Sequence, residues 1–341
     1  AGRYMKKIKV AVVGASGIVG EKIVKILENE SYISDDISLF SSEKSAGKIL
    51  KFRNKAVKLK RADCNSFENT ELVFLATDEK ISKILAPAAV QSGAIVIDNS
   101  SAFRLNPTVP LVVPEINLWQ AKCTELIANP NCATAQCSLP LFALKQKFGL
   151  ESVTVTTYQS VSGSGKNGLK EFFDKTADYS GENAKNSFFG CDVKSCCIPK
   201  IGEIFEDGYS GEERKIINET RKILGDEKLK ISAFCVRVPA PYSHGAFVSA
   251  KLKSKFSLES ALEALQNFPQ ITINKPSGNY VCDNCYCPVN PDATGKFGVF
   301  VGRVRININD PQTVEFFVVA DNLLRGAAAN AVLIARGLFE K

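Results

Sequence analysis

Apolar, β-branched residues crowd positions 8–13, and after a glycine-rich turn apolar positions return at Ile23, Val24, Ile26 and Leu27, the spacing of one helix face. The pattern predicts strand, turn, helix. It then repeats: strands at 37–40 and 72–76 enclose a basic, hairpin-like stretch running to Arg61, a helix covers about 79–91, and strands follow at 94–98 and 111–113. Strands alternating with helices imply a mostly parallel sheet.

Another apolar strand ends just before Asn129, and a helix begins near Cys132. Beyond that point the pattern changes. Long β-rich segments at 153–159, 231–238, 246–253, 297–308 and 314–319 are joined by helices at about 165–177, 212–224 and 258–267. Consecutive strands without intervening helices predict a mixed or antiparallel sheet, hence a second domain. The last segment, 322–339, is Ala-rich and apolar on all sides, which predicts a buried helix able to pack back on the first domain.

Composition narrows the class without changing this picture. The 341 residues suffice for two domains, and 45% hydrophobic with 23% charged residues is the balance of a globular chain. The formal charge of +7 is scattered rather than gathered into a stripe, and no nucleic-acid motif is present, so small anionic ligands fit better than DNA. No apolar run approaches the roughly 18 residues of a membrane span, and no signal core opens the chain, so the expected compartment is the cytosol and no membrane partner is expected. Residues 1–4, ahead of Met5, read as an expression remnant. Eleven cysteines, an odd number spread along the chain, argue against a disulfide framework. The run Cys282-Asp283-Asn284-Cys285-Tyr286-Cys287 would hold a soft metal only with a fourth ligand from Cys191, Cys196 or Cys197. Without a second C-x-x-C to pair with it, no metal is expected.

Candidate chemistry falls at three places. Gly14, Gly17 and Gly20 form G-x-x-G-x-x-G directly after a strand and before an amphipathic helix, the context in which a backbone can approach a pyrophosphate at a helix N-terminus. At the end of the second strand Ser41-Ser42-Glu43-Lys44-Ser45 offers hydroxyls and a cation, which suit a 2′-phosphate and favour NADP over NAD, although the Glu43 carboxylate could face the ribose. In Asn129-Pro130-Asn131-Cys132-Ala133-Thr134-Ala135-Gln136 a cysteine stands at a helix start, where unpaired N–H groups favour the thiolate and lower its pKa below the free value of roughly 8.5. The only histidine, His244, lies in a turn-rich stretch seven residues after Arg237, which suggests an anion held beside a proton carrier. One thiol and one imidazole are a candidate pair for covalent acyl chemistry.

From about Lys7 to the C-terminus these features resemble the aspartate-β-semialdehyde dehydrogenase family. Besides the glycine turn and the cysteine motif, the likeness rests on Lys44-Ser45-Ala46-Gly47-Lys48, Asn99-Ser100-Ser101-Ala102-Phe103-Arg104, Val113-Pro114-Glu115-Ile116-Asn117, Tyr158-Gln159-Ser160-Val161-Ser162-Gly163, Arg237-Val238-Pro239, His244-Gly245 and Asp321-Asn322-Leu323-Leu324-Arg325-Gly326-Ala327. It implies an α/β chain: a Rossmann-type NADP-binding domain over 5–131 and 323–341, and an α+β catalytic and dimerisation domain with a mixed sheet over 132–322. It further implies NADP-dependent reductive dephosphorylation of L-aspartyl 4-phosphate in the biosynthesis of lysine, threonine and methionine, by a homodimer or a dimer of dimers. Cys132 would be the nucleophile, His244 the acid and base, and Gln159 the residue that orients substrate. Arg237 would clamp the α-carboxylate and Glu212 meet the α-ammonium, with Asn131 in the substrate site and Arg104 and Lys215 on the phosphate. Glu212 and Lys215 stand at helical i, i+3 spacing and can reach one site. Gly14, Ser16, Gly17, Ile18, Val19, Ser42, Lys44, Ser45, Ser162, Gly163 and Asn322 would line the NADP site. The family commonly has Arg where this chain has Lys44, a point charge in place of a planar fork. N-acetyl-γ-glutamyl-phosphate reductases share the acyl-phosphate chemistry but usually carry Gly before and Tyr after the cysteine, where this chain has Asn131 and Ala133. A catalytically silent nucleotide-binding relative would be marked by loss of the cysteine or the histidine, and both are present.

Overall fold

In a computed structural model of the chain, the described residues are 7–174, 187–273, 281–282 and 285–340, and of 281, 282 and 285 only the backbone is described. Residues 1–4 and 175–177, the end of the helix expected from 165, lie outside them. The described chain divides into two compact units, Ala1–Asn131 with Ala327–Lys341, and Cys132–Gly326. The second division falls at Ala327, where the resemblance implies 323.

The first unit opens with β1 (Ile8–Val13), whose apolar run is buried on both faces except at Lys9. Helix α1 (Ile18–Leu27) turns Ile23, Val24, Ile26 and Leu27 inward, the four positions its spacing singles out. The following strand β2 (Ile33–Ser41) is longer than its apolar core suggests. A hairpin of β3 (Ile49–Phe52) and β4 (Lys55–Lys58) and the two-residue β5 (Lys60–Arg61) make up the basic stretch. After β6 (Leu72–Leu75), α2 (Glu79–Gln91) starts at Asp78, whose side chain accepts the Ile81 N–H at 3.0 Å, and β7 (Ile95–Asp98) follows.

Residues 111–113 do not form the expected strand. Pro110 and Pro114 bracket them, Pro114 already begins the short α3 (Pro114–Asn117), and the segment makes only a bridge from Leu111 to Ala128. The outer sheet position belongs instead to β8 (Leu126–Ala128), and the sheet runs β5-β2-β1-β6-β7-β8 with every pairing parallel. Ala11, Val13, Val73, Leu75, Val96 and Phe67 fill the core between this sheet and α2.

The second unit begins with α4 (Cys132–Phe148), buried on almost every side. It continues through β9 (Leu150–Gln159), α5 (Gly165–Phe173), α6 (Gly211–Leu224), β10 (Lys230–Arg237), β11 (His244–Leu252), α7 (Leu258–Gln266) and β12 (Ile271–Thr272). The short ladder β13 (Val281–Cys282) with β14 (Cys285–Tyr286), α8 (Asn290–Ala293), β15 (Val299–Ile306) and β16 (Thr313–Ala320) complete it. The sheet order is β10-β9-β11-β16-β15-β12, with β10–β9 and β15–β12 parallel and the other pairs antiparallel. This is the mixed sheet the pattern predicts, and α4 packs on its inner face. Beyond it the chain returns to the first unit with α9 (Ala329–Phe339). The expected single helix from 322 is therefore two pieces: Leu324–Ala328 is a wider π-helical turn, and the α-helix starts only after it.

Candidate active site

In the first unit the glycine turn shapes a cavity of about 690 Å³, lined by Gly14, Ser16, Gly17, Ser42, Glu43, Arg61 and Thr77 among others. Gly14 has φ +82°, and a Cβ there would sit 2.2 Å from the Ala76 carbonyl oxygen. No side chain fits, so main chain alone faces the cavity at this point. Ile18 and Val19 open α1 directly behind the turn. Lys44 and Ser45 belong to a short 3₁₀ turn and do not line the cavity. The cation that does is Arg61, with a guanidinium nitrogen 4.0 Å from the Glu43 carboxylate. Arg104 is buried in this unit; its Nε donates to the Asn129 carbonyl at 2.9 Å and one Nη to the Asn99 carbonyl at 2.8 Å. It thus grips the main chain three residues ahead of Cys132.

In the second unit the strand period of two does the positioning. On β9 Val153, Val155, Thr157 and Gln159 point inward while Thr154 and Tyr158 point out, and on β10 Ala233, Cys235 and Arg237 point inward. Parallel register pairs Arg237 with Gln159. Antiparallel register pairs Gly245 with Tyr158 and His244 with Ala320, so His244 enters β11 beside the same strand end. Three adjacent strands thereby deliver Arg237, Gln159 and His244 side by side. Cys132 is the first residue of α4, and one turn further on the Gln136 side-chain N–H donates to the His244 carbonyl at 3.3 Å. This fixes the cysteine's end of the helix against the histidine's strand. A Cβ on Gly326 would lie 2.5 Å from Cys132 Cβ, so the chain can pass the cysteine only as glycine.

Behind the strand ends α6 is held by a reciprocal cap: the Glu213 N–H donates to Ser210 Oγ at 3.3 Å, and the Ser210 N–H to the Glu213 carboxylate at 2.6 Å. The other Glu213 oxygen accepts the Cys235 N–H at 2.9 Å, which ties the helix to β10 two residues before Arg237. From α6 the buried Glu212 carboxylate accepts from Gln159 at 3.2 Å and pairs with Lys215 at 3.3 Å.

Arg237, Glu212 and His244 are desolvated, whereas Lys215 reaches solvent. Arg237 is buried, donates to the Ser160 carbonyl at 2.6 Å, and has its pKa lowered by burial. His244 is fully buried, and its pKa is driven well below 6.5, first by burial and then by the Arg237 cation. It is therefore neutral near pH 7. A Cβ on Gly163 would lie 2.9 Å from Arg237 Nη1 and 3.3 Å from His244 Nε2, so that glycine leaves the two side chains room to sit together. Burial pushes the Cys137 thiol up to about 12 and raises that of Cys235 as well, which leaves both protonated and unreactive. Cys132 is partly exposed at a helix start.

The predicted residues thus divide. Cys132, Gln159, Ser162, Gly163, Glu212, Lys215, Arg237, His244 and Asn322 are all in the second unit. Gly14, Ser16, Ile18, Gly17, Val19, Ser42, Lys44, Ser45, Arg104 and Asn131 are in the first. Two residues that sequence reasoning did not single out come next to these groups: Arg61, from the end of the basic stretch, lines the first-unit cavity, and Ser160 contacts His244 through main chain and side chain, which no spacing announces. Cys191 and Cys196 face each other at 2.9 Å, but the stretch around Cys282 lies partly outside the described residues, among which no metal-holding cluster occurs.

A parallel sheet with a glycine turn, followed by a mixed sheet that carries the polar cluster, defines a dinucleotide-dependent dehydrogenase. Residues 9–123 match the semialdehyde dehydrogenase NAD-binding domain and residues 141–325 the semialdehyde dehydrogenase dimerisation domain. The chain is 39% identical over 340 residues to an aspartate-semialdehyde dehydrogenase of Aquifex aeolicus, covering 98% of each chain, and 36% identical to that of Bacillus subtilis, covering 97% of each. A solved aspartate semialdehyde dehydrogenase II of Vibrio cholerae superposes with a TM-score of 0.89 at 33% identity, covering 97% of this chain and 98% of that one. The chain belongs to the aspartate-semialdehyde dehydrogenase family.

Proposed function

We propose that this chain reduces L-aspartyl 4-phosphate to L-aspartate 4-semialdehyde with release of phosphate, using Cys132 as the acyl carrier and NADP as the hydride carrier. The reading rests above all on the meeting of Arg237, Gln159 and His244 at three neighbouring strand ends, with α4 bound to the His244 strand one turn from Cys132. The Cys132 thiolate attacks the acyl carbon, the bond to the phosphate oxygen breaks, and a thioester remains on the enzyme. When bound, NADPH would supply the hydride for reduction of this thioester. As the aldehyde forms, the carbon–sulfur bond breaks and Cys132 leaves as thiolate. Through these steps Arg237 holds the α-carboxylate, Glu212 receives the α-ammonium, and Gln159, anchored on Glu212, fixes the acyl group between them. His244 serves the oxygen of the reacting carbonyl. Its Nε2 is buried without a hydrogen-bond partner among the described residues, a cost of about 1–3 kcal/mol that is relieved when an oxyanion arrives.

The first-unit cavity fits a dinucleotide, since main chain at Gly14 and the start of α1 suit a pyrophosphate. Ser42 and Arg61 suit a 2′-phosphate, which supports NADP over NAD. Tyr158 and Phe234 are exposed on the outer face of the second sheet, at 40% and 51%, and this face supports assembly as a homodimer. No helix among the described residues is long and apolar enough to cross a membrane, consistent with the proposed cytosolic setting. The test is to incubate the enzyme with L-aspartate 4-semialdehyde, NADP and phosphate. NADPH should form, and turnover of N-acetyl-glutamate semialdehyde in its place would overturn the reading.

A further inference from the structure

The two ring nitrogens of His244 have unlike surroundings. At Nδ1 the main-chain N–H of Ser160 arrives at 3.0 Å, and a peptide N–H can only donate. Nδ1 therefore carries a lone pair. Ser160 Oγ lies 3.0 Å from the same nitrogen, 3.0 Å from Ser162 Oγ and 3.2 Å from Asn322 Oδ1. The Asn322 amide is oriented by the same logic: the Ser243 N–H donates to Oδ1 at 3.1 Å, so that atom is the oxygen, and Ser162 Oγ donates to it at 3.1 Å. All of these groups are buried, where a mismatched donor or acceptor is costly.

We propose that Ser160 is a positioning residue that holds His244 in the Nε2–H tautomer, so that the ring meets the oxygen of the reacting carbonyl as a hydrogen-bond donor. The main-chain N–H fixes the tautomer. The hydroxyl, 3.0 Å from Nδ1 and itself held by Ser162 and Asn322, locks the plane of the ring. Nε2 is buried beside Gly163 without a hydrogen-bond partner among the described residues. No covalent bond is made or broken in this arrangement.

This inference rests on the function proposed above for its consequence, but its test does not. His244 is the only histidine in the chain, so ¹⁵N-histidine labelling gives imidazole signals that need no assignment. The expected spectrum near pH 7 has a pyridine-type Nδ1 and a protonated, pyrrole-type Nε2; the reverse pattern, or a doubly protonated ring, would overturn the proposal. In Ser160→Ala, Nδ1 keeps the main-chain donor and loses the hydroxyl, so its resonance moves toward that of an unbonded nitrogen. There kcat falls about tenfold at unchanged KM, and Ser160→Thr restores both readouts. An Ala variant with unaltered Nδ1 resonance and unaltered kcat also sinks the proposal, and if that variant fails to fold the wild-type spectrum decides alone. An Nε2–H ring in a protein inactive on aspartate semialdehyde would remove the proposed function and leave the tautomer standing, whereas full activity with a bare Nε2 would do the opposite.

Discussion

The glycine-turn cavity of the first unit and the polar cluster of the second are built on opposite plans. The cavity is shaped by main chain: one turn with φ +82° at Gly14, a helix start behind it, and a few side chains at the rim. The cluster is made of side chains drawn from positions 132 to 322, among them the buried Gln136, Gln159, Ser160 and His244, whose hydrogen-bond partners come from other elements. A site made of main chain tolerates change at its rim and fails at its glycine. A site made of buried side chains fails wherever one partner is removed, because the group left behind is unsatisfied in a low dielectric.

The sharpest way to separate the two is Cys132→Ala, which should lower turnover by at least about 10⁴-fold while NADPH affinity, read by nucleotide fluorescence, stays nearly intact. Residual turnover within tenfold of wild type would break the division. Next, Arg237→Lys should raise KM for aspartate semialdehyde by about 10–100-fold, since an ammonium cannot reproduce the fork that also grips the Ser160 carbonyl. In the first unit, Gly14→Ala should cost about 1–3 kcal/mol of stability and abolish nucleotide binding, measured by chemical denaturation and calorimetry, because neither the positive φ nor the 2.2 Å approach to Ala76 admits a Cβ. At the rim the effect is smaller. Arg61→Ala should weaken NADP about tenfold and leave NAD unchanged, and equal loss of both would remove Arg61 from 2′-phosphate recognition.

Acidity should also divide the units. His244 binds its proton more weakly folded than unfolded, so the unfolded chain takes up the extra proton, and stability is lost as pH falls below about 6.5. The slope from this one group is up to about 1.4 kcal/mol per pH unit. Urea midpoints between pH 7 and 5 should fall more steeply in wild type than in His244→Gln, and parallel curves would show that the ring is not buried neutral.

Local pattern carried a good deal of this molecule. β1, α1 and α2 follow from apolar spacing because their buried faces are set by residues three or four apart, or by unbroken β-branched runs. Residues 111–113 looked like a strand for the same reason, yet prolines on both sides leave too few N–H groups for a ladder, and pairing partners are a property of the sheet rather than of the segment. Lys44 is the legible cation beside the second strand and lies in the short turn Glu43–Ser45, while Arg61, brought in by a two-residue strand, lines the cavity and has no local signal that marks it.

The order of strands and helices, the glycine turn, a cysteine at a helix start and a lone histidine were determined by the sequence, because each depends on neighbours within a few residues. Which of the cysteines are silenced by burial, which side chains meet at the three strand ends, and which cation lines the glycine-turn cavity were decided by the tertiary structure alone. Those properties depend on desolvation and on donors that arrive from distant parts of the chain, and neither is a function of local order.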